Sequence, residues 1–147
     1  MMMRRAVAAD LPAIVELLAD DEQGRKRETV ADLTPYRRAF ELLDADPAQL
    51  LVVAELDGVI VGTLHLTVIP GLAHRGRTRG LVEAVRIASD RRGQGLGAEL
   101  MRWTVDEAKR RGCSLVQLTS HGRRTAAHRF YERLGFTPSH VGFKLEI

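Results

Sequence analysis

The chain has 147 residues, 45% hydrophobic and 28% charged, with a formal net charge of +3. That balance suits one soluble domain with a real core and excludes a disordered or low-complexity chain. No apolar run approaches the ~20 residues of a membrane helix, no secretory apolar region follows Met1-Met2-Met3-Arg4-Arg5, and one cysteine, Cys113, allows no internal disulfide.

These absences predict a cytoplasmic protein, and nothing divides residues 1–147 into more than one domain. Met3 to Val7 reads as a first strand. Asp10 reads as an N-cap, and Leu11, Ile14, Val15 and Leu18 make a helical stripe behind it. Asp20 to Leu33 is polar and reads as a loop. Thr34-Pro35 opens a second helix with Tyr36, Ala39, Phe40 and Leu43 on one face, which ends at Asp44 to Pro47. Leu50 to Leu56 and Val59 to Ile69 are strands joined by the hairpin signal Asp57-Gly58. Pro70-Gly71 breaks the second strand, and His74 to Gly80 is a basic loop. Residues 81–88 are a strand, 96–111 an amphipathic helix stopped by Gly112, and 114–119 a further strand. Thr125 to Leu134 is the last helix and Val141 to Ile147 a closing strand. The order β-α-α-β-β-β-α-β-α-β predicts an α/β (α+β) fold. Its mixed, mostly antiparallel sheet contains one right-handed parallel βαβ unit, with helices on both faces.

The turn Arg92-Gly93-Gln94-Gly95-Leu96-Gly97 joins a strand to a helix. Backbone N–H groups at such a helix start, with the helix dipole, make a seat for phosphate, and Arg92 adds a cation there. Taken alone, the same glycines also fit an exposed turn that needs their dihedral freedom. The loop lacks the Lys-Ser/Thr ending of a nucleotide-triphosphate loop. Its spacing and late position also differ from a dinucleotide-binding fingerprint.

Two segments carry a resemblance. Arg92 to Gly97 matches Arg/Gln-x-x-Gly-x-Gly/Ala, and Ala127-His128-Arg129-Phe130-Tyr131-Glu132-Arg133-Leu134-Gly135-Phe136 matches Ala-x-x-Phe-Tyr-x-x-x-Gly-Phe. In this order and with these elements the chain resembles the GNAT superfamily, the Gcn-type N-acetyltransferases that use acetyl-coenzyme A. Many members carry Asn three residues before that alanine, where this chain has Arg124. The resemblance implies that backbone N–H groups from Gly93 through Gln94, Gly95, Leu96 and Gly97 to Ala98 hold the coenzyme A pyrophosphate. It implies that Val85 and Ile87 pair through their main chain with the pantetheine arm. It makes Tyr131 the group that meets the departing thiolate.

A primary amine must also lose a proton, and Glu83 and His121 compete to take it. On an uninterrupted strand Glu83 has the parity of Val85 and Ile87. Its other reading is a surface charge paired with Arg79 or Arg86. His121 follows the fifth strand and has a suitable reference pKa of ~6.5; its other reading is an ordinary loop histidine. Cys113 follows the helix stop Gly112, with no basic residue directly beside it, which favours direct transfer over an acetyl-cysteine. The five histidines show no metal-ligand spacing, so no metal is expected. The expected acceptor is a small molecule or a peptide carrying an amine, and a homodimer is left open. Few aromatics and a thin basic excess argue against nucleic acid. The alternative is a non-catalytic module of the same fold that binds or senses acyl-CoA.

Overall fold

The computed structural model describes residues 1–147. The chain forms β1 (Met2–Arg5), a 3-10 turn at Ala8–Asp10, α1 (Leu11–Ala19), the single turn α2 (Gly24–Arg27) and α3 (Thr34–Ala45). It continues through β2 (Gln49–Leu56), β3 (Val59–Ile69), the turn α4 (Ala73–Gly76) and β4 (Arg79–Ile87). After the 3-10 turn Ser89–Arg91 come α5 (Leu96–Arg110), β5 (Leu115–Leu118) and α6 (Thr125–Arg133). The five strands lie in the order β1-β2-β3-β4-β5. Every neighbouring pair is antiparallel except β4 with β5. The predicted mixed sheet and its parallel unit are therefore present.

Strand alternation sorts the side chains onto two faces. Leu50, Val52, Ala54, Leu64, Leu66 and Val82 meet Leu100, Met101 and Ala108 of α5. Ile14 of α1, with Ala6 and Val53, makes a smaller cluster on the other face, with Phe40 of α3 against it. Leu64, Leu66, Leu100 and Met101 are fully buried, and burying each such side chain contributes about 1.5–3 kcal/mol.

Local details differ from expectation at the caps. The Asp10 side chain does not cap α1. It accepts from the Val7 N–H at 2.8 Å and pairs with Arg4 at 2.7 Å, so it fixes the entry turn instead. The 20–33 segment holds α2, anchored where the Gly24 N–H donates to Asp21 Oδ1.

The closing strand does not form. Residues 136–147 have no regular structure, and Val141, Phe143 and Leu145 are 79%, 93% and 87% exposed. Their alternation is that of a half-buried strand, but a strand needs a ladder. The sheet ends at β5, and no partner strand receives the tail.

The second departure lies inside β4. Thr63 faces Arg86 and His65 faces Glu83, so Leu64 stands opposite both Ala84 and Val85. Ala84 has φ +52°, which makes this a β-bulge at a non-glycine residue. One extra residue reverses the side-chain parity beyond it. Val82 faces the α5 core before the bulge; Val85 and Ile87 pack against that same core after it. Glu83 therefore lies on the opposite face from Val85 and Ile87, not with them, and shares its face with Arg86.

Candidate active site

β4 and β5 pair from Arg79–Leu115 to Val82–Leu118 and then separate. Beyond that point β4 keeps only β3 as a neighbour. The Ala88 N–H donates to Val61 O at 2.9 Å, toward β3. The main chains of Val85 and Ile87 fall on the other, open edge. Two arginines reach their carbonyls: Arg86 Nη1 donates to Val85 O at 2.9 Å, and Arg92 Nε donates to Ile87 O at 3.0 Å. Each carbonyl keeps a second lone pair, and an edge without a partner strand is what an extended amide-bearing arm can pair with.

The mouth of the opening is polar. Two buried side-chain polar atoms of the protein lack a hydrogen-bond partner, Arg86 Nε and Ser120 Oγ. Arg86 belongs to β4 and Ser120 follows β5, so both stand on the strands that part. Buried polar groups without partners are rare in folded proteins.

At the end of β4, Gly93 and Gly95 adopt φ +77° and +81°, and a Cβ on either would meet nothing within 4 Å. The space beside them is open, and an L side chain there would be strained as well as obstructive. Gly97 matters for packing instead. A Cβ there would lie 3.4 Å from Phe130 Cζ, so its smallness seats α5 against α6. The first N–H of this run with a backbone acceptor is that of Glu99, which donates to Gly95 O at 3.1 Å. The N–H groups before it are the free ones of a helix start, suited to an anion. Arg92 is not the free cation expected beside them. Its guanidinium turns back to Ile87 O and to the Asp20 carbonyl at 2.9 Å, so it ties the end of β4 to the end of α1. The open left-handed glycines, the free N–H groups and the open strand edge fit the pyrophosphate and amide arm of coenzyme A.

Tyr131 of α6 is half-buried, with its ring edge-on to Phe130 and Phe136 at centroid distances of 5.1 and 5.9 Å. Burial raises its pKa above the usual phenol value, while Arg124 and Arg86 pull it down. The phenol therefore keeps its proton at neutral pH. Cys113 is buried, and burial raises its thiol pKa, with Arg111 acting the other way.

The two expected proton acceptors separate clearly. His121 is exposed, and its Nδ1 accepts from the Arg123 N–H at 3.1 Å. A neutral ring in that arrangement carries its proton on Nε2 and has no lone pair left for an amine. The loop-histidine reading fits it. Glu83 is exposed and pairs across the strands with His65, a residue that sequence reasoning had not singled out. His65 Nε2 lies 2.7 Å from Gln49 Oε1, which also accepts from Thr67 Oγ1 at 2.9 Å. Gln49 Nε2 donates to Asp46 Oδ2 at 3.3 Å, which orients the amide. His65 therefore holds its proton on Nε2 and leaves Nδ1 free to accept. Burial lowers its pKa, opposed by Glu83, so the ring is neutral near pH 7. The period-2 pattern of β3 gave no reason to prefer His65 over any other strand residue.

A cavity of about 410 Å³ beside the β2–β3 turn is lined by Met1, Met2, Glu55 and Leu56 and contains none of these groups.

A family model described as the acetyltransferase (GNAT) family matches residues 11–136. Among curated proteins, an aminoalkylphosphonate N-acetyltransferase of Salmonella typhimurium is 28% identical over 141 residues, covering 96% of this chain and 88% of that protein. An L-methionine sulfoximine/L-methionine sulfone acetyltransferase of Pseudomonas aeruginosa is 27% identical, covering 91% and 78%. Among solved structures, a transcriptional regulator from Bacillus halodurans is 43% identical, with a TM-score of 0.95 and 99% of each chain covered.

Proposed function

The chain belongs to the GNAT acetyltransferase family, and from that premise we propose that it moves an acetyl group from acetyl-coenzyme A to a primary amine. The observation that carries this is the opening between β4 and β5, where a strand edge without a partner strand leads through the glycine turn into a helix start suited to an anion, with the half-buried Tyr131 near enough to Arg86 of the same strand to feel its charge. Acetyl-coenzyme A supplies the acetyl group as an activated thioester.

The proposed residue roles follow from their positions. The N–H groups of residues 93 to 98 hold the pyrophosphate, and the open edge at Val85 and Ile87 aligns the pantetheine amides. Glu83, backed by His65, accepts the proton that the amine releases as its C–N bond forms. Tyr131 holds its proton toward the sulfur as the C–S bond breaks. A phenol pKa near 10 lies above the ~8.5 of a free thiol, and burial raises Tyr131 further. Stabilisation by a hydrogen bond therefore suits this phenol better than complete transfer. The acyl group passes directly to the amine in a ternary complex, since buried Cys113 offers no thiolate.

A second reading is favoured by one comparison, the Bacillus halodurans relative named as a transcriptional regulator. Under it the same cleft senses an acyl-CoA without turnover. Release of free thiol from acetyl-coenzyme A, measured across a panel of amines, separates the two. Amine-dependent release supports the transferase; tight coenzyme A binding with no release from any amine supports the sensor. Within the first outcome, Glu83→Gln raises the pH needed for half-maximal kcat/KM, because the amine must then lose its proton without help. An unchanged pH profile removes Glu83 from the proton path.

A further inference from the structure

Arg86 is the residue of this site whose chemistry acyl transfer leaves unexplained. It stands on β4 just past the bulge, and its side chain is only 12% exposed. A guanidinium has five N–H donors in a rigid fork. Here Nη1 donates to the neighbouring Val85 carbonyl at 2.9 Å, Nη2 makes a long 3.4 Å ion pair with Asp21, and Nε is buried with no partner. A buried charge is ordinarily paired and saturated with hydrogen bonds. Asp21 alone does not saturate this one, because its Oδ1 is engaged by the Gly24 N–H.

The surroundings are cationic. Burial acts against the Asp21 charge, yet the Gly24 N–H, Arg86, Arg124 and Arg27 together hold its carboxyl below the ordinary range. The same two arginines, 27 and 124, act on Arg86. Of these arginines Arg86 contacts Asp21, at 3.4 Å, while Arg27 of α2 and Arg124 at the start of α6 add positive charge from farther away. After the bulge Arg86 lies on the same face as Glu83, three positions along the strand. A span of three strand residues is about 10 Å, within the reach of one small molecule and two side chains.

We propose that the Arg86 fork, with Arg27 and Arg124 beside it, binds an acidic group on the acceptor, so that the preferred substrate is a small primary amine that also carries a carboxylate or phosphonate. This rests on the acetyl-transfer reading and deepens it. The amine end lies toward Glu83 and the bulge, and the acid end engages the unused donors of Arg86. A bidentate pair of this kind orients as well as binds, because guanidinium and oxyacid present matching planar forks. A polyamine would meet like charge at the same place.

The test is thiol release from acetyl-coenzyme A with β-alanine, 2-aminoethylphosphonate, propylamine and 1,3-diaminopropane. One or both acidic amines should exceed propylamine by about 10- to 100-fold in kcat/KM, and the diamine should be poorest. The two acidic amines distinguish a carboxylate site from a phosphonate site. In Arg86→Gln the ratio of acidic to neutral amine should collapse toward one, and Arg86→Lys should restore only part of it. Should Arg86→Gln fail to fold, the exposed pair Arg27→Gln and Arg124→Gln should still lower the ratio. Propylamine turning over as well as both acidic amines overturns the anion site and leaves the transferase standing. No release from any of the four amines overturns both. An undiminished ratio in a folded Arg86→Gln variant overturns the assignment to Arg86.

Discussion

The two halves of β4 obey different rules. From Arg79 to Val82 the strand lies between β3 and β5, with Gly80 and Val82 buried against the α5 side. From Ala84 onward it has one neighbour, an open edge and reversed parity. The first half is scaffold: its main-chain groups are used in ladders and its side chains fill a core. The second half has an edge without a partner strand, carries Arg86 on its far face, and runs on into the glycine turn. Backbone that is fully paired has nothing left to offer a ligand, so the site arises where the ladder stops.

The most severe way to break this comparison is at the end of the second half. Gly95→Asp places a carboxylate where an anion is to sit, at φ +81°. Coenzyme A affinity by calorimetry should fall more than about a thousandfold through lost space, strain and like charge. Circular dichroism should show the fold retained, since no atom lies within 4 Å of the added Cβ. Undiminished affinity in that folded variant would remove the glycine turn from the binding site.

Next comes the hydroxyl of Tyr131. Tyr131→Phe keeps both aromatic contacts and removes only the donor. We expect kcat to fall about ten- to a thousand-fold, in and somewhat below the usual range for general acid–base groups, with coenzyme A affinity nearly intact. A loss confined to affinity would return Tyr131 to a packing role.

The boundary between the halves can be tested directly. A non-glycine residue in the left-handed region costs about 1–2 kcal/mol. Ala84→Val adds a β-branch there and should destabilise the protein by about 1–3 kcal/mol in urea unfolding, with activity reduced. Ala84→Gly relieves the dihedral and should be neutral or stabilising by up to about 1 kcal/mol. If valine is tolerated with full stability and activity, the bulge is not what sets the parity of the site.

Sequence reasoning reached the first half of β4 more readily than the second. Val82 and the α5 face follow from apolar periodicity, and the glycine turn follows from composition, whereas Gly80, read as the end of a basic loop, belongs to the strand. The bulge does not, because alanine carries no signal for a positive φ, and a single extra residue moved Glu83 across the sheet. Arg92 was misjudged because nothing local shows that Asp20, 72 positions earlier, receives it. His65 was missed because its tautomer is set by Gln49 and Asp46, which only the β2–β3 register brings near. The tail at 141–147 has a strand's alternation, yet alternation states only which side would be buried, not what would bury it.

The smallest expected effect concerns His65 and can be read without any substrate. Burial holds His65 below the ordinary histidine pKa in the folded protein, partly offset by Glu83. The unfolded chain takes up a proton near pH ~6.5, while the folded ring resists it. Below that pH the unfolded state binds more protons, so stability is lost as pH falls and is fully present above it. The urea midpoint of the wild-type protein should therefore decline between pH 7.5 and pH 5. His65→Gln should decline less steeply over the same interval, because glutamine does not titrate. Parallel slopes for wild type and His65→Gln would show that His65 protonates equally in both states. The neutral, oriented imidazole beside Glu83 would then lose its support as part of the proton path.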